Sequence, residues 1–546
     1  MKPWARYLLT AAAASGIAFA AVLAARAETC NLEIKKLESR GIRSPNDYIY
    51  RATGSQTFQA QIGPEGKSRV INFGGEADQT AKFKQIVKKE PKYESDHPFR
   101  GVAKFGTQEY AFALDTALTE SEKKEKSEEK DAKSETDVAK SQPAKSLAGT
   151  LLQALSGSDQ AETQKPMKAV GFNRLYFDTN HNGDLTDDKV IEAEAMPGIV
   201  IGGSYAQFQF PRVDVTIDVD GTSVDYAFFL TGYVNAQRDF SFAIVQINSA
   251  AYREGDLTLD GKKRHVVLID NNSNGRFDDE NKISKTIMRS GGALYPEQGD
   301  MLLVDPNQGA TGYTSPYDAT ANSYQHYVSK MVDIDGRYYN LKISPAGDKL
   351  TLDPASVSLG KITNPNSHFN AVIYNDSAFL KIVGEKDTPI SIPEGEWKLL
   401  SYTIDLTNVP APEKPVEKKN EEKEKSGISA LGLALESLLG TSNPIAPGRR
   451  FSYVTAEATA KYKPVKVREG ETAEFPFGPP YKPTVTLDYF QGGGENKQAS
   501  LGMTLFGSAG EVVSNMMVNG ARPSKPEFTI KDPKGEVVQS GSFEYG

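Results

Sequence analysis

Two segments of the chain place oxygen-bearing side chains at alternate positions and then a glycine. The oxygen-bearing residues are, segment by segment, Asp178, Asn180, Asn182 and Asp270, Asn272, Asn274. Gly183 and Gly275 follow and permit a sharp turn at the same point of each segment. Calcium takes roughly six to eight oxygen ligands, and this spacing lets a tight loop wrap such an ion. The pattern therefore predicts a calcium site in each segment.

Acidic residues follow each glycine and add further oxygens. They are Asp184, Asp187, Asp188 in the first segment and Asp278, Asp279, Glu280 in the second. The residue after each glycine, Asp184 or Arg276, would offer its backbone carbonyl. Carboxylates crowded into one loop repel each other unless a cation or a proton relieves them. The segments align without a gap, 92 positions apart, so we expect the same use for both.

These segments resemble the EF-hand calcium loop. They depart from it at the twelfth position, where the family has a bidentate Glu and this chain has Lys189 and Asn281. The acids fall one or two places earlier, and a strand-like run precedes each loop. The resemblance implies a strand-flanked site with a weak affinity, on the order of 10⁻⁴–10⁻³ M. The alternative is a pair of Asx-rich turns without an ion, since Asn, Asp and Gly are common in turns.

The elements around the loops read as β-strands. Val213–Val219 alternates apolar and polar residues, turns at Asp220-Gly221 and returns through Tyr226–Leu230, which is typical of a hairpin. Met331–Asp335 and Tyr338–Ile343 repeat this design. Asp78–Lys89 fits a short helix, and a strand fits nearly as well. We therefore predict an all-β fold: several β-sandwich or β-rich modules joined by charged linkers, with few short helices.

The order of segments predicts several domains. Glycines 106, 221 and 336 recur every 115 residues after strand-like runs, which suggests three related modules. The predicted segments are a signal peptide at 1–27, a first β module at 28–196 with a charged insertion at 119–165, a second module at 197–305, a third at 306–409, a charged linker at 410–448 and a β-sandwich at 449–546. The apolar patches Ser146–Leu155 and Ser429–Leu439 are either docking helices or loosely ordered linker.

The first 27 residues resemble a secretory signal. A positive start, an apolar run and Ala25-Arg26-Ala27 match the signal-peptidase pattern, with an uncleaved anchor helix as the alternative. They predict a secreted or periplasmic protein with no transmembrane segment after cleavage. Cys30 is the only cysteine, so the chain has no internal disulfide, and the residues before it match a lipoprotein site poorly. The chain ends on the strand-like Ser542–Tyr545, so this run pairs at a sheet edge or the natural protein continues.

Composition and missing motifs exclude several classes of protein. A net charge of −8, with the lysines in Glu/Lys runs, argues against nucleic-acid binding. The five histidines have no zinc-ligand spacing, and the sequence lacks a phosphate-binding loop, a nucleophile elbow and a His-Glu-x-x-His motif. Trp397 is expected in a β-sandwich core, with stacking on a sugar or peptide as the alternative. No catalytic or cofactor-binding residue is predicted, and the loops are predicted as metal sites only.

Taken whole, the chain resembles secreted bacterial proteins that string β modules together with Asp/Asn loops. Some such proteins carry a thioredoxin-like domain. Because this chain has no second cysteine, that activity is not predicted for it. The leading hypothesis is a calcium-stabilised binding or scaffold protein with a protein or glycan partner outside the cytoplasm. The alternatives are a carbohydrate-active hydrolase with a carboxylate pair in a β cleft, and recruitment of an envelope component by the two apolar patches.

Overall fold

The fold is built almost wholly from β-strands. The computed structural model describes residues 26–39, 49–62, 68–72, 79–95, 97–117, 171–194, 205–236, 241–306, 324–407, 452–490 and 498–545. In these residues one α-helix accompanies many strands, which confirms the predicted all-β class. The signal run, the charged insertion, the charged linker and both apolar patches lie outside the described residues, apart from residues 26 and 27.

The first part of the chain supplies the strands around both Asp/Asn loops. These strands are β1 Glu28–Asn31, β2 Glu33–Lys36, β3 Gln56–Ile62, β4 Ser68–Asn72, β5 Phe99–Phe105, β6 Gln108–Asp115, β7 Arg174–Phe177, β8 Ile191–Glu192, β9 Tyr205–Gln209, β10 Val213–Val219, β11 Thr222–Ala236, β12 Ser241–Ser249, β13 Ala251–Leu259, β14 Lys262–Ile269, β15 Lys282–Met288, β16 Leu294–Glu297, β17 Met301–Val304, β18 Gln325–Tyr327, β19 Met331–Ile334, β20 Arg337–Ile343 and β21 Lys349–Pro354. Helix α1, Gln79–Ile86, lies between β4 and β5.

Strand pairing crosses the predicted module boundaries. Strand β3 pairs with β12, β17 pairs with β18, and β1 pairs with β21, so sheets are shared by the first, second and third predicted modules. One hydrophobic core draws on all three, with Phe58, Phe177, Tyr226 and Leu350 among its fully buried residues. The three predicted modules therefore pack as one unit around a common core.

The predicted hairpins are confirmed. Strands β10 and β11 pair around residues 220–221, and β19 and β20 pair around residues 335–336. Asp220 and Gly221 have φ of 51° and 85°, and Asp335 and Gly336 have 53° and 77°. Both residues of each turn are left-handed, as a tight hairpin turn requires. A third Asp-Gly turn, at residues 260–261, joins β13 to β14 and was not predicted.

The rest of the chain forms a second group of sheets. Its strands are β22 Leu359–Thr363, β23 Phe369–Tyr374, β24 Phe379–Gly384, β25 Ile390–Pro393, β26 Gly395–Asp405, β27 Tyr453–Glu457, β28 Val465–Val467, β29 Thr472–Glu474, β30 Lys482–Phe490, β31 Gln498–Phe506, β32 Val512–Met517, β33 Glu527–Lys531 and β34 Val537–Ser542. The main sheet runs β24-β23-β26-β27-β32-β31-β30. Because β26 pairs with β27, residues on both sides of the charged linker share this sheet.

Trp397 lies in the core of this second group. Its side chain is fully buried, and its Nε1 donates to the Pro393 carbonyl at 2.8 Å. The core position expected for Trp397 is therefore confirmed, and the ring is not available to stack on a ligand. Glu511 is also fully buried, where it accepts hydrogen bonds from the Gly478 amide at 2.6 Å and the Tyr402 hydroxyl at 3.1 Å.

Helix α1 confirms the helical interpretation of the 79–86 region over the strand alternative. Phe83, which lies on this helix, is fully buried, and Ile86 and Val87 pack beside it. No helix among the described residues has the length and apolar character needed to cross a membrane.

Candidate metal centre

The first Asp/Asn loop follows β7 and is organised around a buried carboxylate. Asp178 is fully buried, and its Oδ1 and Oδ2 accept hydrogen bonds from the amides of Asn182 at 3.0 Å and Gly183 at 2.9 Å. The Asn182 side chain then donates from Nδ2 to Asp187 Oδ2 at 2.8 Å. The loop is thus closed by a link from its first acid, through an asparagine, to an acid nine positions later.

The second loop, after β14, repeats these contacts position by position. Asp270 is fully buried and accepts from the amides of Asn274 at 3.1 Å and Gly275 at 2.8 Å. Asn274 Nδ2 donates to Asp279 Oδ2 at 2.8 Å. The gapless alignment of the two segments therefore corresponds to one hydrogen-bonding pattern that the chain builds twice.

The remaining predicted asparagines converge on the same closing acids. Asn180 Nδ2 lies 3.4 Å from Asp187 Oδ1, and Asn272 Nδ2 lies 3.1 Å from Asp279 Oδ2. Among the acids that follow each glycine, Asp187 and Asp279 are thus the ones that point back into the loops. The side-chain NH₂ groups of the asparagines carry partial positive charge and lie against these two carboxylates. A cation would be attracted to the same positions.

Other predicted ligands are engaged outside the loop centres. Asp184 forms an ion pair with Lys89 at 3.1 Å, and hydrogen bonds from Thr186 hold its pKa below the usual range. Arg276 Nε lies 3.0 Å from Asp278 Oδ1, so Asp278 is paired with its neighbour. Asp184 and Asp278 are therefore each neutralised by a basic side chain.

Asp188 and Glu280 occupy equivalent positions but differ in their contacts. Asp188 Oδ1 accepts hydrogen bonds from the amide and the hydroxyl of Thr179. Its Oδ2 is buried without a hydrogen-bond partner, and burial raises the pKa of this carboxyl. Glu280 is half-buried and takes no part in the hydrogen bonds described above. Asp188 is therefore the better placed of the two to contribute an oxygen.

Asp300 belongs to the second loop but was not predicted. Its side chain is 1% exposed and accepts from the amides of Asn271 at 3.1 Å and Asp279 at 2.8 Å. Burial raises the pKa of Asp270 to about 7 and raises that of Asp300, where the charge of Asp270 adds to the effect. The sole sequence signal was a Gly-Asp pair directly before the apolar β17. Two buried acids here share one low-dielectric environment.

The donor set fits a hard cation. Asn272 Oδ1, like Asp188 Oδ2, is buried without a hydrogen-bond partner, which is costly unless another group satisfies the oxygen. No group of three or more His, Cys, Asp or Glu side chains in the described residues is arranged to hold a metal ion. A cation here would therefore also need asparagine and backbone oxygens, which calcium accepts. Asp178, Asp187 and Asp188 would hold it in the first loop, and Asp270, Asn272 and Asp279 in the second.

Each loop also holds distant parts of the chain together. In the first, the Gly183 carbonyl accepts from the amides of Lys88 at 2.8 Å and Lys89 at 3.2 Å. In the second, the Asn274 carbonyl accepts from the Gly106 amide at 2.7 Å in the β5–β6 turn. Leu185 and Phe277, which occupy equivalent positions of the two loops, are both fully buried. Stabilising either loop would therefore stabilise contacts that lie far apart in sequence.

A second feature is a cavity of about 550 Å³. Residues of β18, β19, β23, β24, β26 and β27 line it, so it lies between the two groups of sheets. Its acidic lining residues are Asp333, on β19, and Asp335, in the β19–β20 turn. Its volume falls within the roughly 300–1,000 Å³ typical of small-molecule sites. In comparisons with protein-family models, with curated proteins and with solved structures, the chain has no match.

Proposed function

We propose that this chain is an exported binding or scaffold protein whose β fold is stabilised by calcium at the 178–188 and 270–281 loops. The observation that carries the proposal is the repeated loop, with its buried first acid and its closing acid held by the same hydrogen bonds. Ion binding would act mainly as folding free energy, because the unfolded chain holds no preformed site.

Electrostatics supports a cation more strongly at the second loop. Asp270 and Asp300 are buried together, and neither forms an ion pair with a basic side chain in the described part of the chain. Asp279 adds a third carboxyl group, which accepts hydrogen bonds from the side chains of Asn272 and Asn274. A divalent cation would remove the repulsion between these acids without the protons that their raised pKa values otherwise require.

Thermal unfolding of the full chain in calcium and in a chelator tests the proposal. We expect the midpoint to rise in about 1 mM calcium, a concentration that suits weak extracellular sites. The variants Asp178→Asn and Asp270→Asn should each reduce the rise. Asp184→Asn is the matched control, because Asp184 is already paired with Lys89. An unchanged midpoint in calcium, or an equal rise in the doubly substituted protein, would contradict the calcium role.

A second candidate function is carbohydrate hydrolysis in the cavity. Asp333 and Asp335 both line it, and their pKa values shift in opposite directions. Burial raises the pKa of Asp333, and the hydrogen bond from Arg264 lowers that of Asp335. Glycoside hydrolysis uses a carboxyl group of raised pKa as the acid and an ionised carboxylate as the base. The Arg264 pairing favours binding over catalysis, because it occupies one oxygen of the base.

Release of reducing ends from oligosaccharides tests this second candidate. Cleavage by the full chain that is lost in Asp333→Asn and in Asp335→Asn would support it. Asp376→Asn is a suitable control, because Asp376 is exposed and does not line the cavity. Cleavage that survives both cavity substitutions would contradict it.

A further inference from the structure

The floor of the cavity is one face of the main sheet of the second group. Across four strands, Val383, Asn370, Thr403 and Thr455 lie side by side in register. These residues are half-buried or exposed, whereas the residues that alternate with them point into the core. The Thr403 and Thr455 hydroxyls lie 3.1 Å apart. The floor therefore presents hydroxyl and amide groups in a row.

A second row beside the first ends in a lysine. Lys381, Val372 and Ser401 lie in register on β24, β23 and β26. Lys381 Nζ lies 3.3 Å from Gln325 Oε1 and 5.4 Å from the centre of the Tyr327 ring. In the described part of the chain, no carboxylate lies within 4.0 Å of this ammonium group. The lysine thus brings a positive charge to the cavity without an ion-pair partner.

The two acids that line the cavity are held by other groups of the protein. Arg264 forms an ion pair with Asp335. Asp333 accepts from the Gly336 amide at 2.8 Å within its turn. Lys381 is therefore the one cationic side chain that lines the cavity in the described residues. One unpaired ammonium beside several hydroxyls suits a ligand with one negative charge and several hydroxyl groups.

We propose that this cavity binds an acidic sugar of one or two rings, with Lys381 pairing the sugar carboxylate and Asn370, Ser401, Thr403 and Thr455 contacting its hydroxyls. The half-buried Tyr327 ring lines the cavity beside Lys381 and adds an aromatic surface to it. A single lysine fits a carboxylate better than a phosphate, which arginine clusters or backbone nests recognise. This proposal deepens the binding role proposed above and rests on it.

Calorimetric titration of the full chain with glucuronate and galacturonate, as monomers and dimers, tests the site. We expect binding of at least one acid, with glucose and galactose weaker by about tenfold or more because they lack the charge. Lys381→Met should abolish the preference for the acid, and Lys381→Arg should retain part of it. Lys398→Met, an exposed lysine outside the cavity, should bind like the unsubstituted chain.

The outcomes separate this proposal from the calcium role. Titrations are run in calcium and in chelator, and Trp397 fluorescence confirms that each variant is folded. Binding without any calcium-dependent stabilisation contradicts the calcium role alone. Calcium stabilisation without binding of any uronate contradicts the cavity proposal alone. Equal affinity for glucose and glucuronate, equal affinity for inorganic phosphate, or unchanged binding by Lys381→Met also overturns the acidic-sugar site.

Discussion

The Tyr226 hydroxyl donates a hydrogen bond of 2.5 Å to Asp270 Oδ2, and both side chains are fully buried. Tyr226 lies on β11 and Asp270 follows β14, so this contact joins the β10–β11 hairpin to the second Asp/Asn loop. In the first loop, the hydrogen bonds described for the Asp178 carboxylate come from the backbone amides of Asn182 and Gly183 and not from a tyrosine hydroxyl. The two loops therefore share their internal hydrogen bonds but differ in how the fold holds them.

Removing this hydroxyl should destabilise the fold. Tyr226→Phe leaves a buried carboxylate with one donor fewer, a change that costs about 1–3 kcal/mol. The free energy of unfolding, measured by urea titration, checks this value. Tyr295→Phe is the control, because Tyr295 is exposed and its loss should change stability by less than about 0.5 kcal/mol. Equal stability of the two variants would show that the Tyr226–Asp270 contact contributes nothing.

The glycine of the second loop should resist substitution more than a hairpin glycine. Gly275 has a φ of 80°, and a Cβ there would lie 2.5 Å from Ile217 Cδ1. Gly275→Ala should therefore lose about 1–3 kcal/mol from backbone strain and a further ~1–3 kcal/mol from overpacking. Gly261→Ala is the control. Gly261 has a φ of 74° and no atom within 4 Å of its Cβ position, so this variant measures the backbone strain alone. If both alanine variants unfold at the same urea concentration, the close packing at Gly275 has no energetic weight.

Local patterns were predictable because their causes are local. The Asp-x-Asn-x-Asn-Gly spacing produces hydrogen bonds over four and five positions, and neighbours in sequence suffice for them. Asp-Gly turns likewise fix a hairpin from two residues. The hairpins at residues 220–221 and 335–336 were therefore predicted correctly from the sequence.

The partners of those hairpins were not predictable. Turn residues specify which two strands are adjacent, but nothing in Glu28–Asn31 indicates pairing with Lys349–Pro354. Asp300 reaches the second loop through such a long-range pairing, between β14 and β17. The acidic group at that loop and the cavity around Lys381 both depend on tertiary neighbours, so alternation and spacing could not reveal them.

The single cysteine should be unreactive in the folded protein. Cys30 lies on β1 opposite Leu350, is 8% exposed, and burial raises its pKa to about 11. Both the access and the thiolate fraction that alkylation requires are therefore low at pH 8. Maleimide labelling followed by mass spectrometry should be slow in native protein and complete in urea. Rapid labelling of native protein would mean that β1 does not stay paired with β21.

Uronate affinity should fall as pH rises through about 8. The side chain of Lys381 is exposed overall, but residues packed around it partly desolvate its ammonium group and lower its pKa to about 8. The charge is therefore present below that pH and is lost above it in the free protein. The other titratable groups that line the cavity behave differently: the pKa of His326 is lowered to about 4, that of Tyr327 is raised, and that of Asp335 is lowered. From pH 7 to 9.5 Lys381 is therefore the group expected to control binding.

Calorimetry across this range checks the sign. Affinity should be nearly constant below pH 8 and should then decline by up to about tenfold per pH unit, since the carboxylate binds the protonated lysine. Asp333 has a raised pKa, so Asp333→Asn serves to separate its contribution from that of Lys381. Lys381→Arg should remove the decline, because arginine keeps its charge throughout. A flat profile in the unsubstituted chain, or a decline that persists in Lys381→Arg, would assign the ligand's charge recognition to another group.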